Sequence, residues 1–246
     1  MPRLLTLLAA ALLLSACGHG SPAAPTQPIA LGPRLAPPPL PTAAVAPTDP
    51  AVQQRVQAAI DRLDKVSTLV GKVVFDESKD PGHVDHGEAK FTFRHKPFAA
   101  RVDVQQSTRW FASGAAILWN GGATLRIKAA HVPISVEFGY DNAQVVSVRG
   151  YRIDQTDIFS MGKVLRAPGA VIKGMGTRRI HNEDLYLVDV TSPASLPGIT
   201  HEIIGLSAKI LIPTYREMYA GSAVVHKGQG LGVTLDSSIP ASDFEL

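Results

Sequence analysis

Cysteine is almost missing from this chain: Cys17 is the only one in 246 residues. Everything downstream of it therefore lacks disulfides, cysteine-ligated zinc and cysteine nucleophiles, and the fold must rest on its apolar core. Long apolar runs are missing as well. No stretch approaches the roughly 18 consecutive apolar residues of a membrane-spanning helix. Charge is low, with a formal net of +3 and a pI near 9.0, which gives no reason to invoke a nucleic acid partner. The chain has no Gly-x-Ser-x-Gly elbow and no phosphate-cradling glycine loop, and its carboxylates show no pairing for acid–base work. His83-Val84-Asp85-His86 invites a metal reading, but a zinc site wants three or four ligands and no third one stands at a recognisable spacing. We read that stretch as an exposed turn. The sequence points to no enzyme, no cofactor and no metal.

What is present begins at the amino terminus. Residues 1–16 have the layout of a secretory signal: Arg3, an apolar run over residues 4–14, then small residues. That run is too short for the roughly 20 residues of a membrane span. Leu14-Ser15-Ala16-Cys17 resembles the bacterial lipobox, which implies a diacylglycerol on the Cys17 sulfur and a further acyl chain on the new amino terminus. Each buried acyl CH₂ contributes about 0.8 kcal/mol, and two or more chains give stable anchoring. Cys17 is thus the expected lipidation site and membrane tether. Gly18 follows it, where an aspartate would be the inner-membrane retention signal of enteric bacteria. The expected location is the cell envelope, at the periplasmic face of the outer membrane. Residues 17–50 are rich in Pro and Ala, with Pro37-Pro38-Pro39-Leu40-Pro41 in the middle. Such a chain buries too little apolar surface to offset ordering, and makes a disordered, extended linker.

Residues 51–246 are enough for one domain with its own core. Val52, Val56, Ile60 and Leu63 recur at one-turn spacing, predicting an amphipathic helix that ends near Lys65. The period then changes to strand-like. Residues 68–77 are rich in β-branched and aromatic side chains, and residues 88–94 alternate strictly, with Ala89, Phe91 and Phe93 on one face. Further strands are expected at residues 98–104, at 115–119 and 123–128 around Asn120-Gly121-Gly122, and at 132–138 and 143–148. Residues 154–166 return to helical spacing. The closing strands are expected at 177–180, 185–190, 208–212, 217–226 and 232–235. Consecutive hairpins with only two helices imply an antiparallel sheet, and two helices are too few to cover both of its faces. The predicted fold class is α+β, mainly antiparallel: a strongly curved half-barrel sheet with helices on its concave side.

This order of elements resembles the LolA/LolB-like family of lipoprotein carriers and lipid binders. The likeness is carried by a helix leading into "DKVSTLVGKVVFDE", then "EAKFTFRHKPFAARVDV", then "TRRIHNEDLYLVDVTSP". Lys96, Pro97 and Arg101 stand where members carry a Lys/Arg-Pro and a nearby Arg, while Ser113-Gly114 replaces an Asp-Gly before the fourth strand. The terminal "SSIPASDFEL" resembles the family's last strand, running into Asp243 and Phe244. The resemblance implies an incomplete barrel whose hollow accepts the acyl chains of lipids or lipoproteins. The inward, lipid-binding candidates are Leu69, Val73, Phe75, Phe91, Phe93, Leu118 and Ile127, with Ile158, Met161 and Leu165 on the covering helix. Trp110-Phe111, between two strands, stands where an anchored member touches the membrane with an apolar loop; aromatic rings suit that interface, and a core role is the alternative. Arg149, Arg152, Arg178 and Arg179 read mainly as a solvated face. Two functions remain: a carrier or acceptor of acyl chains, or an envelope sensor or scaffold that binds a protein partner through the same fold.

Overall fold

A computed structural model describes residues 49–80, 82–109 and 112–246. Cys17, the signal, most of the linker, Pro81, Trp110 and Phe111 lie outside the described residues. The first helix, α1 (Pro50–Asp64), starts where the chain supplies a cap: the Asp49 side chain accepts from the Ala51 amide at 2.8 Å. Pro50 at the first turn gives up a donor that would have no partner there. Its buried stripe is Val52, Val56, Ala59, Ile60 and Leu63.

Six strands follow: β1 (Thr68–Ser78), β2 (Val84–Arg94), β3 (Ala99–Ser107), β4 (Ala116–Trp119), β5 (Thr124–Lys128) and β6 (Val136–Gly139). Two short helices come next, α2 (Ile153–Thr156) and α3 (Ile158–Arg166). Then come β7 (Val171–Ile180), β8 (Glu183–Thr191), β9 (His201–Ser207), β10 (Pro213–Ala220) and β11 (Ala223–Leu235). All eleven form one antiparallel sheet in the order β6-β5-β4-β3-β2-β1-β11-β10-β9-β8-β7. The first and last strands join through β1 and β11, and among the described residues the sheet stays open at β6 and β7. The expected curved half-barrel with helices on one face is what the chain forms.

Register fixes the two faces. Leu69, Gly71, Val73, Phe75 and Glu77 of β1 oppose Phe93, Phe91, Ala89, Gly87 and Asp85 of β2. The Phe91 and Phe75 rings lie across the sheet on Gly71 and Gly87, where an added Cβ would come within 2.7 and 2.4 Å of them. On this concave face α1 and α3 pack against Val188, Val190, Ile204 and Leu206 of β8 and β9. Gly162 lets the two helices approach, because a Cβ there would stand 2.7 Å from a Leu63 methyl. Asp64 and Arg166 pair across the same contact at 2.8 Å.

Several expected elements differ. Residues 143–148 form turns, pinned by the Asn142 and Ser147 side chains, and not a strand. Residues 208–212 are the reversal between β9 and β10, with Leu211 at φ 55°, and β9 precedes them. The expected strand 217–226 is two strands folded at Gly221, φ 64°. The helix over 154–166 breaks at Asp157, whose extended backbone ends α2 and whose side chain caps α3 by accepting from Ser160 at 2.6 Å. The "SSIPASDFEL" stretch follows the last strand and ends in a 3₁₀ turn, Ala241–Phe244.

Candidate functional site

The concave face has two parts. Over β8 and β9 it is sealed: Val188, Val190 and Ile204 have no exposed surface beneath the helices. Over β1–β6 it is only partly covered. Pairing aligns Val73, Ala89 and Val104 in one row, Phe91, Val102, Ile117, Ile127 and Val136 in another. Of these only Ala89 is buried; the rest are half-buried, or exposed in the case of Val136. An aromatic chain bounds this surface: Phe159 on Phe93 at 4.2 Å, Phe93 on Phe98 at 5.3 Å, Phe98 on Trp119 at 5.1 Å, and Trp119 stacked on Tyr140 at 6.4 Å.

The residues singled out in the sequence divide accordingly. Leu69 and Phe93 belong to the sealed core with Leu63 and Ile212. Met161 and Leu165 are buried against α1 and β8, and Ile158 touches both clusters. Val73, Phe75, Phe91 and Ile127 line the open part. Leu118 does not face inward. It lies opposite Arg101 and Arg126 on the convex face, buried with Ala99 and Phe244 under the carboxyl-terminal segment. Arg101 holds that segment through the Asp243 and Glu245 carbonyls at 3.2 and 2.9 Å, and Arg94 sits over the Phe244 ring. The Lys96-Pro97 peptide is cis. Sequence reasoning missed Val102, Val104 and Ile117, although their alternation along β3 and β4 was available as a signal.

Polar groups also enter the concave face. The Arg216 guanidinium is buried and donates to Glu202 at 2.6 Å, to the Gln155 carbonyl at 2.9 Å and to Ser160 Oγ at 2.9 Å, joining β10 to α2 and α3. Glu77, Asp85 and His226 are buried near it. Burial pushes the Asp157 carboxyl up to about 6, opposed by the Ser160 amide and by the Lys163 and Arg216 charges. His83 and His86 are partly exposed beside Asp85 and Asp76, but Asp85 itself is buried at the start of β2, so that stretch is more than an exposed turn. Among the described residues, no group of three or more His, Cys, Asp and Glu side chains is placed to hold a metal ion. Two open hollows lie at the loop end of β1, β3 and β5. One of about 470 Å³ is lined by residues 128–133, and one of about 630 Å³ includes Lys79, Arg109 and Arg149.

An open, curved antiparallel sheet with helices on its concave face is the LolA-like architecture that the sequence resembles. No protein-family model and no curated protein matches the chain. Among solved structures, the chain is similar to the Mycobacterium tuberculosis lipoprotein LppX, at 14% identity over 76% of this chain and 94% of that one, with a TM-score of 0.48. It is similar to a LolA superfamily protein from Nitrosomonas europaea at 12% identity, 79% and 97% coverage and a TM-score of 0.37. A chain of the Pseudomonas aeruginosa MucA/MucB complex aligns at 8% identity over 80% of this chain and 61% of that one, with a TM-score of 0.43.

Proposed function

We propose that this chain is a lipoprotein of the cell envelope, tethered through Cys17, whose open concave surface binds the acyl chains of lipids or lipoproteins as a carrier or acceptor. The observation that carries this reading is the apolar surface of Val73, Phe91, Val102, Ile117 and Ile127, left half-buried beside a fully sealed core. Acyl chains need an apolar wall with little specific polar chemistry, and the inner face of β3–β5 offers that. Residues 17–50 act as the spacer, Trp110 and Phe111 as membrane contacts, and the periplasmic face of the outer membrane is the expected location. The test is saturable binding of a fluorescent fatty-acid probe to the full chain carrying Cys17→Ser. Ala89→Trp, which fills the row between Val73 and Val104, should abolish it. Absence of saturable binding to the parent would remove the carrier reading.

A second reading, a scaffold that binds an envelope protein, draws support from the unpaired β6 edge. Ile134 is 64% and Val136 46% exposed there, and an open edge offers unpaired backbone groups to another chain. A protein that binds no acyl probe but captures one envelope protein, and loses it on Val136→Lys, would favour this second reading.

A further inference from the structure

Register lines up one polar row across the concave face at the end next to the β1–β2 turn. Asp85 of β2 opposes Glu77 of β1, Glu77 opposes His226 of β11, His226 opposes Met218 of β10, and Met218 opposes Glu202 of β9. Glu77 is 2% exposed, His226 7% and Glu202 wholly buried. The row holds three carboxylates; Arg216, beside it on β10, is committed to Glu202 and α2–α3, His83 Nε2 stands 3.4 Å from Asp85, and Arg149 donates to the Ser78 carbonyl. Asp85 accepts from Thr108 Oγ1 at 3.2 Å. Glu77 Oε1 and His226 Nδ1 stand 3.5 Å apart with no hydrogen bond on either atom. Glu202 Oε1 and, two rows away, Thr214 Oγ1 are also buried without a hydrogen-bond partner.

Carboxylate oxygens only accept, so Glu77 Oε1 and Glu202 Oε1 call for donors, while His226 Nδ1 and Thr214 Oγ1 can each donate or accept. A buried acceptor left unmatched costs free energy, more when it is charged. The row also adjoins the apolar surface. Phe75 is two residues before Glu77 on the same strand, is itself half-buried, and stacks on the His226 ring at 6.4 Å and 12°. The ring takes this pose because residue 228 is glycine: a Cβ there would lie 3.2 Å from His226 Nε2. A chain lying over Val73 and Phe75 thus brings its polar end to His226 and Glu77.

We infer that the Glu77–His226 pair is the seat for a cationic, hydrogen-donating headgroup, a primary ammonium, on an amphipathic ligand whose chain occupies the open apolar surface. An ammonium brings three donors and a positive charge to a row that holds three carboxylates. The inference rests on the acyl-chain reading above and adds the chemistry of the head.

The test compares three probes with the same twelve-carbon chain, dodecylammonium, dodecanol and dodecanoate, by calorimetry on the full chain carrying Cys17→Ser at neutral pH and submicellar concentration. Dodecylammonium should bind about tenfold more tightly than dodecanol, the scale of one charge-assisted contact. The net charge of +3 favours dodecanoate by bulk attraction, so this order cannot come from the overall field. Glu77→Gln keeps the shape and should bring dodecylammonium to within about twofold of dodecanol, with dodecanol binding unchanged. Glu137→Gln, an exposed carboxylate on β6, should leave the preference intact. Equal binding of all three probes, tighter binding of dodecanoate, or a preference that survives Glu77→Gln in folded protein would overturn the headgroup seat alone. Failure of all three probes to bind would overturn the acyl-chain reading together with it.

Discussion

The two halves of the sheet are made of similar residues and treated differently. The inner face of β8–β10 is covered by α1 and α3, and its apolar side chains reach zero exposure. The inner face of β3–β6 carries Val102, Val104, Ile117 and Ile127, equally apolar, yet among the described residues no α-helix is one of the elements with which β3–β6 make their principal contacts. The difference lies in the connections. The long segment between β6 and β7 gives α2 and α3 to the β7–β10 side, where Arg216 fastens them. One half is a core in the ordinary sense and sets stability; the other is a surface suited to a ligand.

Substitutions should separate the halves. Ile204→Ala, at a site with no exposure under both helices, should cost about 2–5 kcal/mol in denaturant unfolding. A loss under about 1 kcal/mol would mean that the helices are only loosely seated. Asp157 gives the next largest effect, through pH. Its folded-state carboxyl titrates near 6, above the ordinary value of 3.8, so from about pH 4 to 6 the folded state holds a proton that the unfolded state has released. Stability from this group therefore falls as pH rises through that window, and stays lower above it. Asp157→Asn, which keeps a capping oxygen, should gain about 2–3 kcal/mol on the parent between pH 4 and pH 8. Melting curves that run parallel at the two pH values would contradict burial of this cap. Ile117→Ala, on the open half, should cost under about 1 kcal/mol because its side chain is only half-buried, while weakening acyl-probe binding. A large stability loss there would place Ile117 in a packed core instead.

Much of this was legible locally. The α1 stripe follows from its one-turn spacing, β1 from its β-branched and aromatic composition, and β2 from the alternation over residues 88–94. Reversals without turn residues were not legible: residues 208–212 read as a strand, yet the chain folds back there, where Ser207 pairs with Ile212. Conversely, "AQVVSV" at residues 143–148 has strand-like composition, but Asn142 and Ser147 turn the backbone. Leu118 shows the limit most directly. Alternation says that Ile117 and Leu118 face opposite ways, but only the register across residues 120–123, which sets Ile117 against Ile127 and Leu118 against Arg126, says which one is inside. The Glu77–His226 pair was invisible for the same reason, since 149 positions separate its members along the chain and only the β1–β11 pairing unites them.

The central claim, that the open half and not the sealed half takes acyl chains, is tested most directly by labelling the full chain with a photoreactive fatty acid and mapping the adducts by mass spectrometry. The account predicts adducts on peptides containing Val73, Phe91, Val102, Ile117 and Ile127, competed away by unlabelled fatty acid. Adducts confined to α1, β8 and β9, or labelling that unlabelled ligand does not displace, would contradict it.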